Sequence, residues 1–134
     1  MKIIIDAKDT VLGRLGTYAA KELLKGKDVV IINSEEAIIS GNKKDIVEKI
    51  KNWKKKGGSS QNGPKISRMP HRLVKRMLRG MLPWDRTKGR EAYKRLICHI
   101  GNGDLSEEDL KKAIKLNIQK PLKYVIVKEI VKII

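Results

Sequence analysis

Four cations fall in one arc of a short segment of this chain. On a helix from Pro70 to Met81, at about 100° per residue, Arg72, Lys75, Arg76 and Arg79 share a narrow arc, while Leu73, Val74, Met77, Leu78 and Met81 lie on the other side. Pro70 suits a first helical turn, and Pro83 marks where the run must stop. Guanidinium and ammonium groups aligned in this way can bind phosphate groups or another polyanion. A merely solvated face is the ordinary explanation when acids are interspersed. Here no acid falls between Asn52 and Pro83, so ion pairs within the helix do not account for the arc.

The surrounding sequence extends the same chemistry. Between Lys51 and Arg95, fifteen Lys and Arg face only Asp85 and Glu91, a net of +13 in a chain of net charge +16. Lys54, Lys55 and Lys56 close one expected helix, Lys65 and Arg68 follow in a loop, and Arg86, Lys88 and Arg90 surround an expected turn at Gly89. Self-repulsion at that density is relieved by a polyanion. A basic helix lying on an anionic membrane exposes large apolar residues, which a βαβ domain would bury instead. Cations spread over helix ends and loops suit folded RNA better than a DNA groove, and no recognition-helix module, zinc finger or basic zipper is evident. Aromatic residues make up only 4% and Phe is absent, so phosphate and sugar contacts should outweigh base stacking.

Catalytic readings compete with this one. Gly13-Arg14-Leu15-Gly16 follows an expected strand, but the dinucleotide pattern G-x-G-x-x-G is absent, and close helix packing with Arg14 reaching a phosphate is the simpler reading. Gly41-Asn42-Lys43-Lys44 lacks the phosphate-loop pattern. His71 and His99 are the only histidines, and Asp6 and Asp9 have no further carboxylates clustered near them in sequence. An RNA-processing or nucleotide-using enzyme would place Asp6, Asp9 or His71 in the chemistry. The lone Cys98 excludes an internal disulfide and reads as a small buried hydrophobe. No catalytic residue, metal or cofactor is assigned.

The elements that must position these groups follow from periodicity. Lys2 to Asp6, with the β-branched Ile3, Ile4 and Ile5 inside it and Asp6 at its carboxyl end, and the apolar run Val29 to Ile32 read as strands covered on both faces. Between them Leu12, Leu15, Ala19 and Leu23 recur at helical spacing, with Thr10 as expected N-cap and Gly26 as stop. Strand, helix and strand in this order form a βαβ unit with parallel strands. A second helix is expected from Asn42 to Lys56, then a flexible polar loop from Gly57 to Pro64. A strand is expected from Arg95 to Ile100, and a helix from a Ser106 cap through Lys115. The tail from Tyr124 to Ile134 is ambiguous. The length of 134 residues suits one domain, with a basic RNA-binding segment at about 51–95, and no run approaches a membrane span, so a soluble intracellular protein is expected.

Gly80-Met81-Leu82-Pro83, followed by Lys88-Gly89-Arg90 and by Leu96 to Gly101, resembles the motif of the thirteenth protein of the large ribosomal subunit. Asp6-Ala7, Leu12-Gly13-Arg14-Leu15, Gly26, Val30-Ile31-Ile32-Asn33-Ser34-Glu35 and Ser40-Gly41 agree in order, so the resemblance covers about residues 3 to 101. It implies an α/β fold, a three-layer α/β/α domain with a small, mainly parallel sheet of about four strands plus a basic helical and loop region. It also implies a structural role in the cytoplasmic ribosome, binding large-subunit ribosomal RNA early in assembly beside neighbouring ribosomal proteins. Carried over by position, Gly80 to Pro83 would form a bend packing the basic helix, and Arg14, Arg79, Lys88 and Arg90 would face RNA. The compact start, the short connection after the first helix and the Lys- and Ile-rich composition resemble archaeal members.

Overall fold

A computed structural model describes residues 2–56, 66–116 and 118–134. The order is β1 (Lys2–Asp6), α1 (Leu12–Leu24), β2 (Asp28–Ile32), a 3-10 turn (Ser34–Glu36), β3 (Ile38–Ser40) and α2 (Lys43–Lys55). There follow α3 (Pro70–Arg79), α4 (Thr87–Lys94), β4 (Leu96–Cys98), α5 (Glu107–Lys111), β5 (Ile114–Lys115), β6 (Tyr124–Ile126) and α6 (Val127–Ile133). Four strands form a parallel sheet in the order β4-β2-β1-β5. β3 and β6 form a separate antiparallel pair that carries the tail back onto the middle of the chain.

Both faces of the sheet are covered, which explains the unbroken apolar runs. Ile3 and Ile5 of β1, with Val29 and Ile31 of β2, join the main core under Leu15, Ala19 and Leu23 of α1, Leu73, Val74 and Leu78 of α3, and Ile130 of α6. Ile4, Val30 and Ile32 point the other way, covered by Leu105, Leu110 and Ala113 around α5. The three layers are therefore unequal, α1, α2, α3, α4 and α6 all contributing to the core on one side and a single short helix covering the other. Among the described residues no helix is long and apolar enough to cross a membrane.

Several local expectations change. Thr10 does not cap α1. Val11 holds the N-cap position, while the Thr10 hydroxyl donates to the carbonyls of Asp6 and Lys8 and tightens the preceding loop. Gly26, at φ 94°, does end α1, with Gly26 N–H on the Leu23 carbonyl and Lys27 N–H on that of Glu22. The helix capped by Ser106 stops at Lys111, because the chain turns to lay Ile114 and Lys115 beside β1. The strand expected from Arg95 to Ile100 shortens to Leu96–Cys98. The tail resolves into a strand and then a helix. The loop from Gly57 to Pro64 lies outside the described residues.

The expected turn at Gly89 is the most instructive difference. Gly89 sits buried inside α4, a helix the sequence reading did not anticipate. A Cβ there would run into the carbonyl of Pro83, so glycine is present for close approach and not for chain reversal. Gly16 plays the same part on α1, where a Cβ would meet Leu78 and Met81. Gly89→Ala should therefore destabilise the protein by about 3 kcal/mol, since backbone must move. Gly13→Ala, whose Cβ would meet nothing, should be neutral or stabilising by up to about 0.5 kcal/mol. Denaturant unfolding of both variants measures the contrast.

Candidate nucleic-acid interface

The basic helix is anchored by its apolar stripe, with Leu73 and Val74 wholly buried and Leu78 nearly so. Pro70 opens α3, and after Gly80 the segment through Pro83 bends over Gly89 of α4. This bend is closed by Arg86 N–H on the Pro83 carbonyl at 3.0 Å and by Arg90 Nε on the Trp84 carbonyl at 2.9 Å.

The cations opposite the stripe do not stand free in solvent. Lys75 Nζ lies 4.8 Å from the centre of the Tyr93 ring, Arg76 5.7 Å from that of Trp53, and Arg79 4.0 Å from that of Trp84. Trp84 and Tyr93 meet edge to face at 5.1 Å. Cation–π pairs of significance occur roughly once per 70–80 residues, so three from one short helix form a built arrangement. The rings come from α2, from the bend and from α4, and they hold the charged groups half-buried in set positions. Arg72 alone of the four is exposed.

The remaining residues singled out from sequence are dispersed around this centre. Arg68, Arg86, Lys88 and Arg90 are exposed on either flank of α3. Lys56 shares a shallow groove with Lys49, Asn52 and Trp53, on the side of α2 that carries the ring under Arg76. Lys55 faces elsewhere, with Lys43, Lys44, Lys51 and Ile133. Lys54 donates to the carbonyl of Ile134 at 3.1 Å, closing the end of α6. Arg14 is exposed on the first turn of α1, beside Thr17, Lys21 and Leu116. Lys65 lies outside the described residues. Sequence reasoning missed Trp53, Trp84 and Tyr93 as parts of the site, although three of the chain's five Trp and Tyr fall inside the basic segment.

Among the described residues the block forms no ion pair. The ion pairs among the described residues join Lys2 to Asp109, Lys25 and Lys27 to Glu22, and Lys120 to Asp9, and none involves a residue between 51 and 95. The groups of the competing enzyme reading are otherwise engaged or dispersed. Asp6 accepts from Lys8 N–H at 2.9 Å and from the Asn33 amide at 3.0 Å, and Asp9 pairs with Lys120 at 3.4 Å. Among the described residues no three His, Cys, Asp or Glu gather as a metal site. Burial pushes the Cys98 thiol up to about 12, against the smaller opposing effects of Lys75 and the Ser34 hydroxyl, so it stays protonated. His71 has a buried Nδ1 with no hydrogen-bond partner among the described residues. Desolvation, then the charges of Arg72 and His99, hold it below its ordinary 6.5.

The family model described as ribosomal protein L13 matches residues 1–105. Among similar curated proteins is the large ribosomal subunit protein uL13 of Archaeoglobus fulgidus, 39% identical over 131 residues, covering 95% of this chain and 83% of that protein. The protein of the same name from Methanopyrus kandleri is 45% identical over 107 residues, covering 78% of this chain and 65% of its own length. That from Methanocaldococcus jannaschii is 38% identical over 120 residues, covering 87% and 88%.

Two measurements test this geometry. A double-mutant cycle of Arg79→Gln and Trp84→Leu should give a coupling of about 1 kcal/mol in unfolding free energy, and additive effects would show that the pair does not interact. Because the folded state holds His71 at a lowered pKa, the unfolded chain takes up the proton first as pH falls. Stability should therefore drop as pH falls through 6.5 towards the folded value, and His71→Gln should lose that part of the pH dependence.

Proposed function

The chain belongs to the ribosomal protein L13 family, and from that premise we propose that it binds large-subunit ribosomal RNA through α3 and the cations around it, and supports early assembly of that subunit. Membership makes the protein a structural component of the cytoplasmic ribosome, of archaeal type, and not an enzyme. The finer reading, which surface meets RNA, rests on one observation. The +13 segment has no acidic partner among the described ion pairs, so its charge is left for an external polyanion.

The RNA surface would be centred on Arg72, Lys75, Arg76 and Arg79. Arg68 would extend it on one side and Arg86, Lys88 and Arg90 on the other, with Lys56 along α2 and Lys65 in the intervening segment. The three cations seated on rings lose little rotamer freedom on binding, so more of each phosphate contact survives as affinity. Arg14 and Lys55, on separate faces, would meet other RNA segments, and Lys54 would act mainly by holding α6. Neighbouring ribosomal proteins would cover part of the remaining surface.

Binding to deproteinised large-subunit RNA should weaken with salt, log K falling against log salt with a slope of roughly −6 for about eight phosphate contacts. A nearly flat response would sink the reading. Arg72→Glu, Arg86→Glu and Lys88→Glu together should flatten that slope by about 2 to 3 and abolish incorporation into large subunits. The unfolding midpoint should stay near that of the unmodified protein, since all three side chains are exposed. Normal incorporation would show that the wrong face has been chosen.

A further inference from the structure

An apolar groove of about 470 Å³ opens beside the basic helix, between the start of α1, β3, α2 and α3. Buried Leu12, Ile38 and Ile50 line it, and Trp53, Met77 and Met81 contribute partly exposed walls. Its size lies within the range of about 300–1,000 Å³ found for small-ligand clefts. We propose that this groove receives one unpaired nucleobase of the RNA whose phosphates the basic ridge binds, an inference that rests on the RNA-binding reading above.

The choice of occupant follows from the chemistry of the walls and rim. An indole stacks on a flat aromatic ring, and two thioethers make favourable polarizable-sulfur contacts with it, often at its edge. Met81 is 40% exposed, so a large apolar group is left uncovered at the edge of a strongly cationic surface. Among the described residues no acidic side chain lines the groove, Lys49 stands on its rim, and Arg76 lies over the Trp53 ring that forms part of its wall. A nucleotide complements both features at once, with an apolar face for the walls and a phosphodiester for the cations. Ser40, also on the lining, carries a hydroxyl able to hydrogen-bond a base edge. Groove and ridge share one helix, since Met77 follows Arg76, so a single strand can engage both. This extends the expectation that phosphate contacts dominate, by adding one base to them.

The test compares an oligoadenylate of about twelve nucleotides with an abasic phosphodiester of equal length. The oligoadenylate should bind about tenfold more tightly, with the same salt slope, because stacking is not a counterion effect. Ile39 also lines the groove, so Ile39→Trp fills it and should erase the difference while leaving the abasic affinity unchanged. If Ile39→Trp does not fold, Ser40→Trp obstructs the mouth from an exposed position. Equal binding of the two oligomers from the outset overturns the proposal, as does a plug that weakens both alike. Equal binding together with loss of a neighbouring protein from subunits carrying Ser40→Trp assigns the groove to a protein side chain and also overturns it. Absence of salt-dependent binding by either oligomer is a separate failure, that of the phosphate-binding surface itself.

Discussion

Burial of Leu73, Val74 and Leu78 is the interaction on which the rest of the structure depends. The four cations of α3 repel one another across four pairs at helical spacings of three or four, at about 0.2–0.5 kcal/mol each. Burying each of the three apolar side chains contributes about 1.5–3 kcal/mol, so the core decides both that the helix forms and how it is rotated. A turn of about 100° about its axis would bring an arginine towards the sheet, at a desolvation cost of several kcal/mol. The opposite arc is therefore cationic because the buried arc is apolar, and its charge has no acidic partner among the described ion pairs.

Presentation has a second support, which is the bend after α3. Gly89 lets the Pro83 carbonyl approach α4 closely, and that approach brings Trp84 beside Tyr93. The rings then sit under Arg79 and Lys75. A glycine in a helix, a proline in a bend and two aromatic residues thus act on the same charged groups from different parts of the chain. The rings carry no charge, so they fix the cations without neutralising them. A carboxylate would have fixed them equally well and cancelled their attraction for phosphate.

The parts of this fold legible in the sequence are those built from local periodicity. β1, α1, β2, α2 and α3 each carry an unbroken apolar run or an amphipathic stripe long enough to identify. α4 was hidden because Gly89 and Arg90 look like turn chemistry, and only the position of Pro83 in space shows why glycine is needed. β3 and β5 are three and two residues long, too short for a period, and β3 exists because β6 returns from far along the chain to pair with it. The cations of the site were readable from composition and helical phase. Their seats were not, because an aromatic content of 4% argued against rings at the site, whereas the informative quantity was where those few rings fall.

The sheet also explains why a doubly covered parallel fold need not do chemistry. Such folds place ligands at the carboxyl ends of their strands, where connections diverge and polar groups point into a crevice. Here those groups bond to one another. Asp6 at the end of β1 holds the Asn33 amide just beyond β2, Asn33 N–H donates to the Gly101 carbonyl, and Glu35 accepts from Gly101 N–H. Ser34 N–H donates to the carbonyl of His99, whose own N–H reaches Ile31. Asn33, at φ 54°, adopts the left-handed conformation that asparagine tolerates better than most residues, and so lets the chain turn across this edge. Asp6, which an enzyme reading would place in the chemistry, is a fastener of that seam. The polar groups at the ends of β1, β2 and β4 are thereby taken up by one another, whereas the cations of α3 have no ion-pair partner among the described residues.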